Sequence, residues 1–315
     1  MSIDITDKKI LLTGGSGFLG SFVAEELLNK GVKTENIRIP RSRDLDLRIW
    51  ENCVNAVKDI EIVIHLAASV GGIGFNMKYP GDLLYDNAIM GIQLMEAARR
   101  ENIKKFVSIG TVCSYPKFCP VPFNENDLWN GYPEETNAPY GVAKKILLVQ
   151  AEAYRAQHGF NAIYLLPVNL YGPRDHFNTE DSHVIPALIL KFIDAKEKGL
   201  DKIVAWGTGS ASREFLYVED AAQAIVLATE KYDKSDPVNL GSGKEVIIKD
   251  LVNMIKDMVG FEGEVVWDTS KPDGQPKRML DVTKAEKEFD FKAKTDFEEG
   301  LYKSISWYRE NILNK

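Results

Sequence analysis

The sequence predicts an α/β fold, a doubly wound parallel sheet with a smaller lobe interleaved into it. Three observations predict it. A short apolar run, Lys8–Thr13 (KKILLT), meets a glycine-rich turn, TGGSGFLG, that opens a segment of helical apolar spacing. Short apolar runs then alternate with helical patterns as far as Pro167, the order expected of parallel strands joined by crossover helices. Beyond Pro167 the pattern is less regular, yet a last strand-like run, Val238–Leu240, comes late in the chain.

Taken in order, Lys8–Thr13 reads as a buried parallel strand. Phe18–Lys30 reads as a helix stopped at Gly31. Asn36–Ile39, Glu61–Leu66, Lys105–Ile109 and Ala162–Leu166 are further strands, with helices near 46–57, 81–100 and 139–158. The second half predicts a helix at 183–198, strands at Lys202–Ala205 and Arg213–Tyr217, and a helix at 218–231. Ser182 or Asp181 is the expected cap of the helix near 183. Helices follow near 247–258 and 296–311, with a loop, KPDGQP, at 271–276. No repeat or low-complexity segment separates the parts, so the second lobe is interleaved, not appended.

The chain has 315 residues, enough for a large core and two lobes. Hydrophobic residues at 44% and charged residues at 27% read as an ordinary soluble enzyme. No apolar run reaches the roughly eighteen residues of a membrane span, and MSIDITDKK lacks the order of a secretion signal, so a cytoplasmic protein is expected. A net charge of −7 argues against nucleic acid as a partner. The cysteines are too few for a disulfide framework, and no Cys/His spacing resembles a zinc site, so no metal is expected.

The glycine turn follows a strand and opens a helix, the context that a dinucleotide site requires. Gly14, Gly17 and Gly20 let a pyrophosphate approach the backbone, and the N–H groups of Phe18, Leu19 and Gly20 face it at the helix N-terminus. The second strand runs into IRIPRSRDLDL, with Arg41 and Arg43 where an NAD site carries its acid. NADP(H) is therefore favoured over NAD(H). Leu66, Ala67 and Ala68 end the third strand with side chains small enough for an adenine or ribose. His65, inside an apolar strand, reads as structural. These assignments divide the chain into 1–170 with 218–243 for the dinucleotide and 171–217 with 244–315 for the substrate.

Tyr140 and Lys144 are four apart in PYGVAKK, on one face of a predicted helix. An ammonium beside a phenol favours phenolate, which equips the tyrosine for proton exchange. Thr111 ends the fourth strand, where open α/β sheets bind ligands, and its hydroxyl is placed to meet the substrate oxygen. Cys113 is either a small buried hydrophobe or half of an acid/base pair with His183. Such a pair removes a proton from one face of a carbon next to a ketone and returns it on the other.

TGGSGFLG, HLAA, the Thr111 region, YGVAK and REFLYVEDAA fall in the order of the extended short-chain dehydrogenase/reductase family, which the chain resembles over essentially its whole length. Within it, VGGIGFNMKYP, CSYPK, NAPYGVAKK, NLYGPRDHFN, SHVIPALI, WGTGSASREFLYVED and KPDGQPKRMLDVT resemble the GDP-L-fucose synthases. The resemblance implies a Rossmann-type fold, a homodimer built on helices 81–100 and 139–158, and NADPH-dependent conversion of GDP-4-keto-6-deoxy-D-mannose by 3,5-epimerisation and 4-keto reduction. It implies a catalytic set of Thr111, Tyr140, Lys144, Cys113 and His183, with Tyr140, Lys144 and His183 also touching the cofactor. It implies that Lys191, Trp206, Arg213 and Arg278 bind the GDP-sugar. The chain departs from these synthases at Ser16, where they carry arginine, at Thr111-Val112 for Ser-Ser, and at Lys191 for arginine. Related activities on GDP-heptose or GDP-colitose precursors, or a non-catalytic nucleotide sensor, are the alternatives.

Overall fold

The computed structural model describes residues 2–178, 182–271 and 273–313. Its first half contains the strands β1 (Ile10–Thr13), β2 (Ile37–Arg38), β3 (Ile62–His65), β4 (Lys105–Ile109) and β5 (Ala162–Pro167). Between them lie the helices α1 (Phe18–Asn29), α2 (Trp50–Val57), α3 (Ile73–Lys78), α4 (Pro80–Arg100) and α5 (Ala138–His158). The second half adds the strands β6 (Asn169–Tyr171), β7 (Lys202–Trp206), β8 (Ser212–Tyr217), β9 (Val238–Leu240), β10 (Glu245–Ile247) and β11 (Glu264–Asp268). Its helices are α6 (Val184–Glu197), α7 (Val218–Lys231), α8 (Ile248–Val259), α9 (Thr283–Phe289) and α10 (Phe297–Tyr308).

Six strands form a parallel sheet in the order β2–β1–β3–β4–β5–β9. Residues Ile10–Thr13, Ile62–His65 and Lys105–Ile109 are buried throughout, because helices cover both faces of the sheet. The order reverses between β1 and β3, and a crevice opens there at the carboxyl ends of the strands. This is the Rossmann-type sheet that the sequence predicts.

The other strands pair separately, β10–β8–β6 in one sheet and β11–β7 in another. A second apolar core gathers around Tyr171, Phe192, Phe215, Leu251 and Leu301, apart from the core of the large sheet. Val238–Leu240 rejoin the large sheet after this excursion, pairing with Leu165–Pro167. Buried Lys105 fastens the joint: its ammonium donates to the carbonyls of Ala228 and Tyr232 at the end of α7.

Sequence periodicity does not reveal α3, α9, β6, β10 or β11. Each is short, and Glu245–Ile247 leave no residue fully buried. The helix at 183–198 forms as α6, with His183 as its N-cap and no side-chain cap. Ser182 does not cap it, because its hydroxyl donates to His176 O and accepts from Asn178 N, both at 2.6 Å. Asp181 lies outside the described residues. Among the described residues no helix is long and apolar enough to cross a membrane.

Candidate active site

A cavity of about 970 Å³ runs along the carboxyl ends of the strands, from the glycine turn to the second lobe. At one end, Gly14 adopts φ +72° and lies so close to β3 that a Cβ would meet Ala67 N at 2.8 Å. At Gly20 a Cβ would meet Gly14 O, so only glycine lets the helix rise against the turn. The N-cap Gly17 offers no side chain to the first turn of α1, which leaves its N–H groups facing the cavity. Phe18, Leu19, Leu66, Ala67 and Ala68 line the same end. These features fit a dinucleotide pyrophosphate and its adenosine.

The cationic rim differs in part from the sequence expectation. Arg43 lines the cavity, whereas Arg41 is not among the lining residues. Arg48, which the strand-end pattern does not single out, lines it as well. Its guanidinium pairs with Asp46 at 2.8 Å and Asp86 at 3.2 Å. His65 packs below the turn, its Nδ1 2.8 Å from Thr13 Oγ1, in keeping with a structural role.

At the far end of β4, Thr111 caps a short 3₁₀ turn, Val112–Ser114, and its hydroxyl accepts the Cys113 N–H at 3.2 Å. The turn packs on α5, where the Ser114 hydroxyl donates to Gly141 O at 2.8 Å. That contact presents Thr111, Cys113, Tyr140 and Lys144 to one cavity, and His183 enters from the start of α6. The imidazole is exposed to the cavity while protein encloses it, and burial, with the charge of His176, lowers its pKa.

The protein's own groups do not push the Tyr140 phenol toward phenolate. Burial raises its pKa well above the ordinary range, and the charge of Cys113 adds to the effect. Burial pulls the Lys144 ammonium down to about 8. Desolvation therefore outweighs the attraction expected from the four-residue spacing.

On the second-lobe side, Arg213 donates to Ser212 O at 2.7 Å, to Asp273 O at 2.8 Å, and to Gln275 O. Buried Arg278 donates to Gln275 Oε1 at 3.2 Å, and its Nη1 lies 3.7 Å from Cys113 Sγ. Burial, with the like charge of Arg278, pulls Arg213 down to about 9. Arg278 is buried and Arg213 half-buried, and among the described residues neither guanidinium donates to a carboxylate, so the pair can receive an anion. Lys191 and Trp206 stand outside the wall of this cavity. They pair with each other, the Lys191 ammonium 5.6 Å from the Trp206 ring centre.

Sequence spacing does not reveal Asn137, Asn76, Glu134 or Gln275. Asn137 Oδ1 lies 3.7 Å from Cys113 Sγ and accepts from Asn76 Nδ2 at 3.1 Å. Asn76 is buried, and its own Oδ1 has no partner. The one available signal is position: Asn76, Asn137 and Gln275 fall in the resemblance runs VGGIGFNMKYP, NAPYGVAKK and KPDGQPKRMLDVT.

The chain is similar to several known proteins over nearly its whole length. The chain is 40% identical over 307 residues to a probable GDP-L-fucose synthase 1 of Oryza sativa subsp. japonica, covering 97% of this chain and 93% of the relative. A GDP-L-fucose synthetase from Naegleria fowleri, solved bound to NADP, superposes with a TM-score of 0.87 at 30% identity, covering 98% of this chain and 97% of that one. A GDP-6-OMe-4-keto-L-xylo-heptose reductase from C. jejuni superposes with a TM-score of 0.91 at 27% identity, covering 98% and 99%. A profile of the NAD dependent epimerase/dehydratase family matches residues 10–241, well over half of the chain, and the protein belongs to that family.

Proposed function

We propose that the protein converts GDP-4-keto-6-deoxy-D-mannose to GDP-L-fucose, by 3,5-epimerisation followed by NADPH-dependent reduction of the 4-ketone. The observation that carries this reading is the single cavity onto which Cys113, His183 and Tyr140 all open. Similarity to GDP-L-fucose synthases and to an NADP-bound synthetase supports the substrate and the cofactor.

Gly14, Gly17 and Gly20 hold the pyrophosphate, Leu66–Ala68 hold the adenosine side, and Arg43 and Arg48 take a ribose phosphate. Lys144 donates to the nicotinamide ribose. When bound, the nicotinamide supplies the hydride that turns the ketone into an alcohol. Arg213 and Arg278 draw the sugar-nucleotide diphosphate into the cavity, with Lys191 and Trp206 at the outer edge of the same ligand.

A ketone makes its neighbouring C–H protons acidic through the enolate. Cys113 takes such a proton from one face, and His183 returns one to the opposite face, so the carbon inverts. The raised pKa keeps Tyr140 protonated at neutral pH, and it gives that proton to the ketone oxygen as the alcohol forms. Thr111 donates to the same oxygen and orients it.

A second reading drops the epimerisation and keeps the reduction, as in the heptose reductase that the chain resembles. One reaction separates the two: GDP-4-keto-6-deoxy-D-mannose with NADPH in deuterated water. Deuterium at both carbons flanking the ketone, with loss of NADPH, supports the dual activity. Loss of NADPH without deuterium supports the plain reductase, and neither change refutes both.

A homodimer also belongs to this proposal. Leu84, Tyr85, Ile146 and Val149 leave apolar side chains exposed on α4 and α5. These helices are bound to each other by Tyr154 donating to Glu96 Oε2 and by Gln150 donating to Ile92 O.

A further inference from the structure

Two groups of opposite character meet the Cys113 sulfur. Arg278 Nη1 lies 3.7 Å from Sγ on one side, and Asn137 Oδ1 lies 3.7 Å from it on another. A guanidinium carries only donors and positive charge, so it favours the thiolate. A carbonyl oxygen carries only lone pairs, so it holds the S–H proton and favours the thiol. Building on the epimerase reading above, we propose that Arg278 and Asn137 set the ionisation of Cys113 in opposite directions, and that Glu134 positions the Asn137 amide for this task.

The two ends of an amide are told apart by what they bond. Asn137 Nδ2 donates to Glu134 Oε2, and a carboxylate only accepts. Its Oδ1 must then face Cys113 and Asn76, which donates to it at 3.1 Å. Glu134 is itself held by the N–H and hydroxyl of Thr136, at 3.3 and 2.7 Å. Arg278 is held as firmly, by Gln275 Oε1 at 3.2 Å, while Gln275 Nε2 donates to Pro116 O and Lys117 O at 3.1 and 3.0 Å. Glu134, Asn137 and Arg278 are all buried, so water screens none of these contacts strongly. Among the described residues, the other titratable groups whose charge acts on the sulfur are Arg213 on β8, a cation that adds to Arg278, and Tyr140 on α5.

The arrangement gives the sulfur a partner in each of its two states. As a base, the thiolate lone pair takes a proton from the carbon beside the ketone. The C–H electron pair passes into the enolate, and the new S–H bond finds Asn137 Oδ1 as its acceptor. Arg278 holds the charge again when the proton leaves. No oxidant or reductant takes part in this exchange.

Alkylation of Cys113 by iodoacetamide, read by peptide mass in the full chain without substrate, reports its thiolate population directly. At about pH 7, Arg278→Gln is expected to slow alkylation about fivefold or more, with Arg278→Lys staying close to wild type. Asn137→Ala and Glu134→Gln are expected to speed it about threefold, the first by removing the acceptor and the second by letting the amide turn. Near pH 10, where thiols ionise regardless, the rates should converge, which separates ionisation from access. Thermal melts confirm that each variant is folded. Wild-type rates in Arg278→Gln, or shifts of the same sign in Arg278→Gln and Asn137→Ala, overturn the proposal. The measurement needs no sugar, so it stands or falls apart from the GDP-fucose reading.

Discussion

The Leu280 N–H donates to one carboxylate oxygen of Glu214 at 2.6 Å, and the Gly243 N–H donates to the other at 2.6 Å. Glu214 is fully buried on β8, beside Arg213, and Leu280 follows Arg278 by two residues. One side chain therefore clasps together the segments that carry both cavity guanidiniums. Replacing Glu214 by Ala leaves the buried Leu280 N–H unpaired, so a loss of about 1–3 kcal/mol is expected, while the Gly243 N–H, on an exposed residue, can turn to water. Urea unfolding with an unchanged m value checks this. Glu214→Gln keeps one acceptor and should lose less; equal losses in the two variants would show that the clasp is not made by hydrogen bonds.

Tyr140→Phe removes the phenol proton and leaves the ring. General acid help is typically worth about 10²–10⁴-fold, so NADPH oxidation by the keto-sugar should fall by that factor. Deuterium uptake beside the ketone should survive, because the proposed function assigns it to Cys113 and His183. Followed at 340 nm and by mass spectrometry, loss of both activities together would put Tyr140 in the epimerisation as well.

Arg43 and Arg48 line the cofactor end of the cavity, and Arg41 does not. Double substitution of Arg43 and Arg48 by Ala should raise the KM for NADPH about tenfold or more, the worth of about 1.4 kcal/mol, with little change for NADH. Arg41→Ala should do far less. Equal changes for the two cofactors would remove these arginines from phosphate recognition.

Two buried groups tie folding stability to pH with opposite signs. Burial, with the Lys144 charge, lowers His65 from 6.5 to about 3. Between those values the unfolded chain binds the extra proton, so this contribution is complete above 6.5 and is lost as pH falls, by up to about 1.4 kcal/mol per unit. Asp175 is raised from 3.8 to about 7 by burial, against a hydrogen bond from the His176 N–H, and its Oδ2 has no partner. Here the folded chain holds the extra proton, so the contribution is present below 3.8 and is lost as pH rises through 7. The slopes oppose each other where the windows overlap. Asp175→Asn should therefore stabilise the protein at pH 8, on the order of 2 kcal/mol, and steepen its acid loss. Urea unfolding at about pH 5, 6.5 and 8 decides; a profile parallel to wild type counts against a buried, proton-holding Asp175.

Tyr85→Glu combined with Val149→Glu places charge on the apolar outer faces of α4 and α5. Sedimentation should move from a dimer in the wild type to a monomer in the variant. A wild type that already sediments as a monomer at working concentration dismisses this interface.

The parallel sheet was legible because its strands are continuous apolar runs that helices bury on both faces, as in Ile10–Thr13 and Lys105–Ile109. Elements held by tertiary contacts were not. Helix α9 reads TKAEKEF, buries Ala285 and Phe289 alone, and has no repeating stripe to recognise. The same division runs through the site. Tyr140 and Lys144 announce themselves by helical spacing, and the glycine turn by its place between a strand and a helix. Arg278 reaches Cys113 across 165 residues, and no local pattern encodes that approach. The ionisation of Tyr140 departs from its spacing for a related reason: spacing states that an ammonium shares the helix face, but only packing states how dry the phenol is.

Because Val238–Leu240 return to the large sheet after the chain has built β6, β7 and β8, no single cut separates the two cores. A graft of the sugar-facing half from another protein must exchange two stretches at once, one before α7 and one after β9. The donor pieces must also be matched to each other at Glu214 and Leu280, or a carboxylate is stranded in dry surroundings. Altered sugar preference on this scaffold should therefore emerge through paired changes far apart in the chain, not through a local cassette.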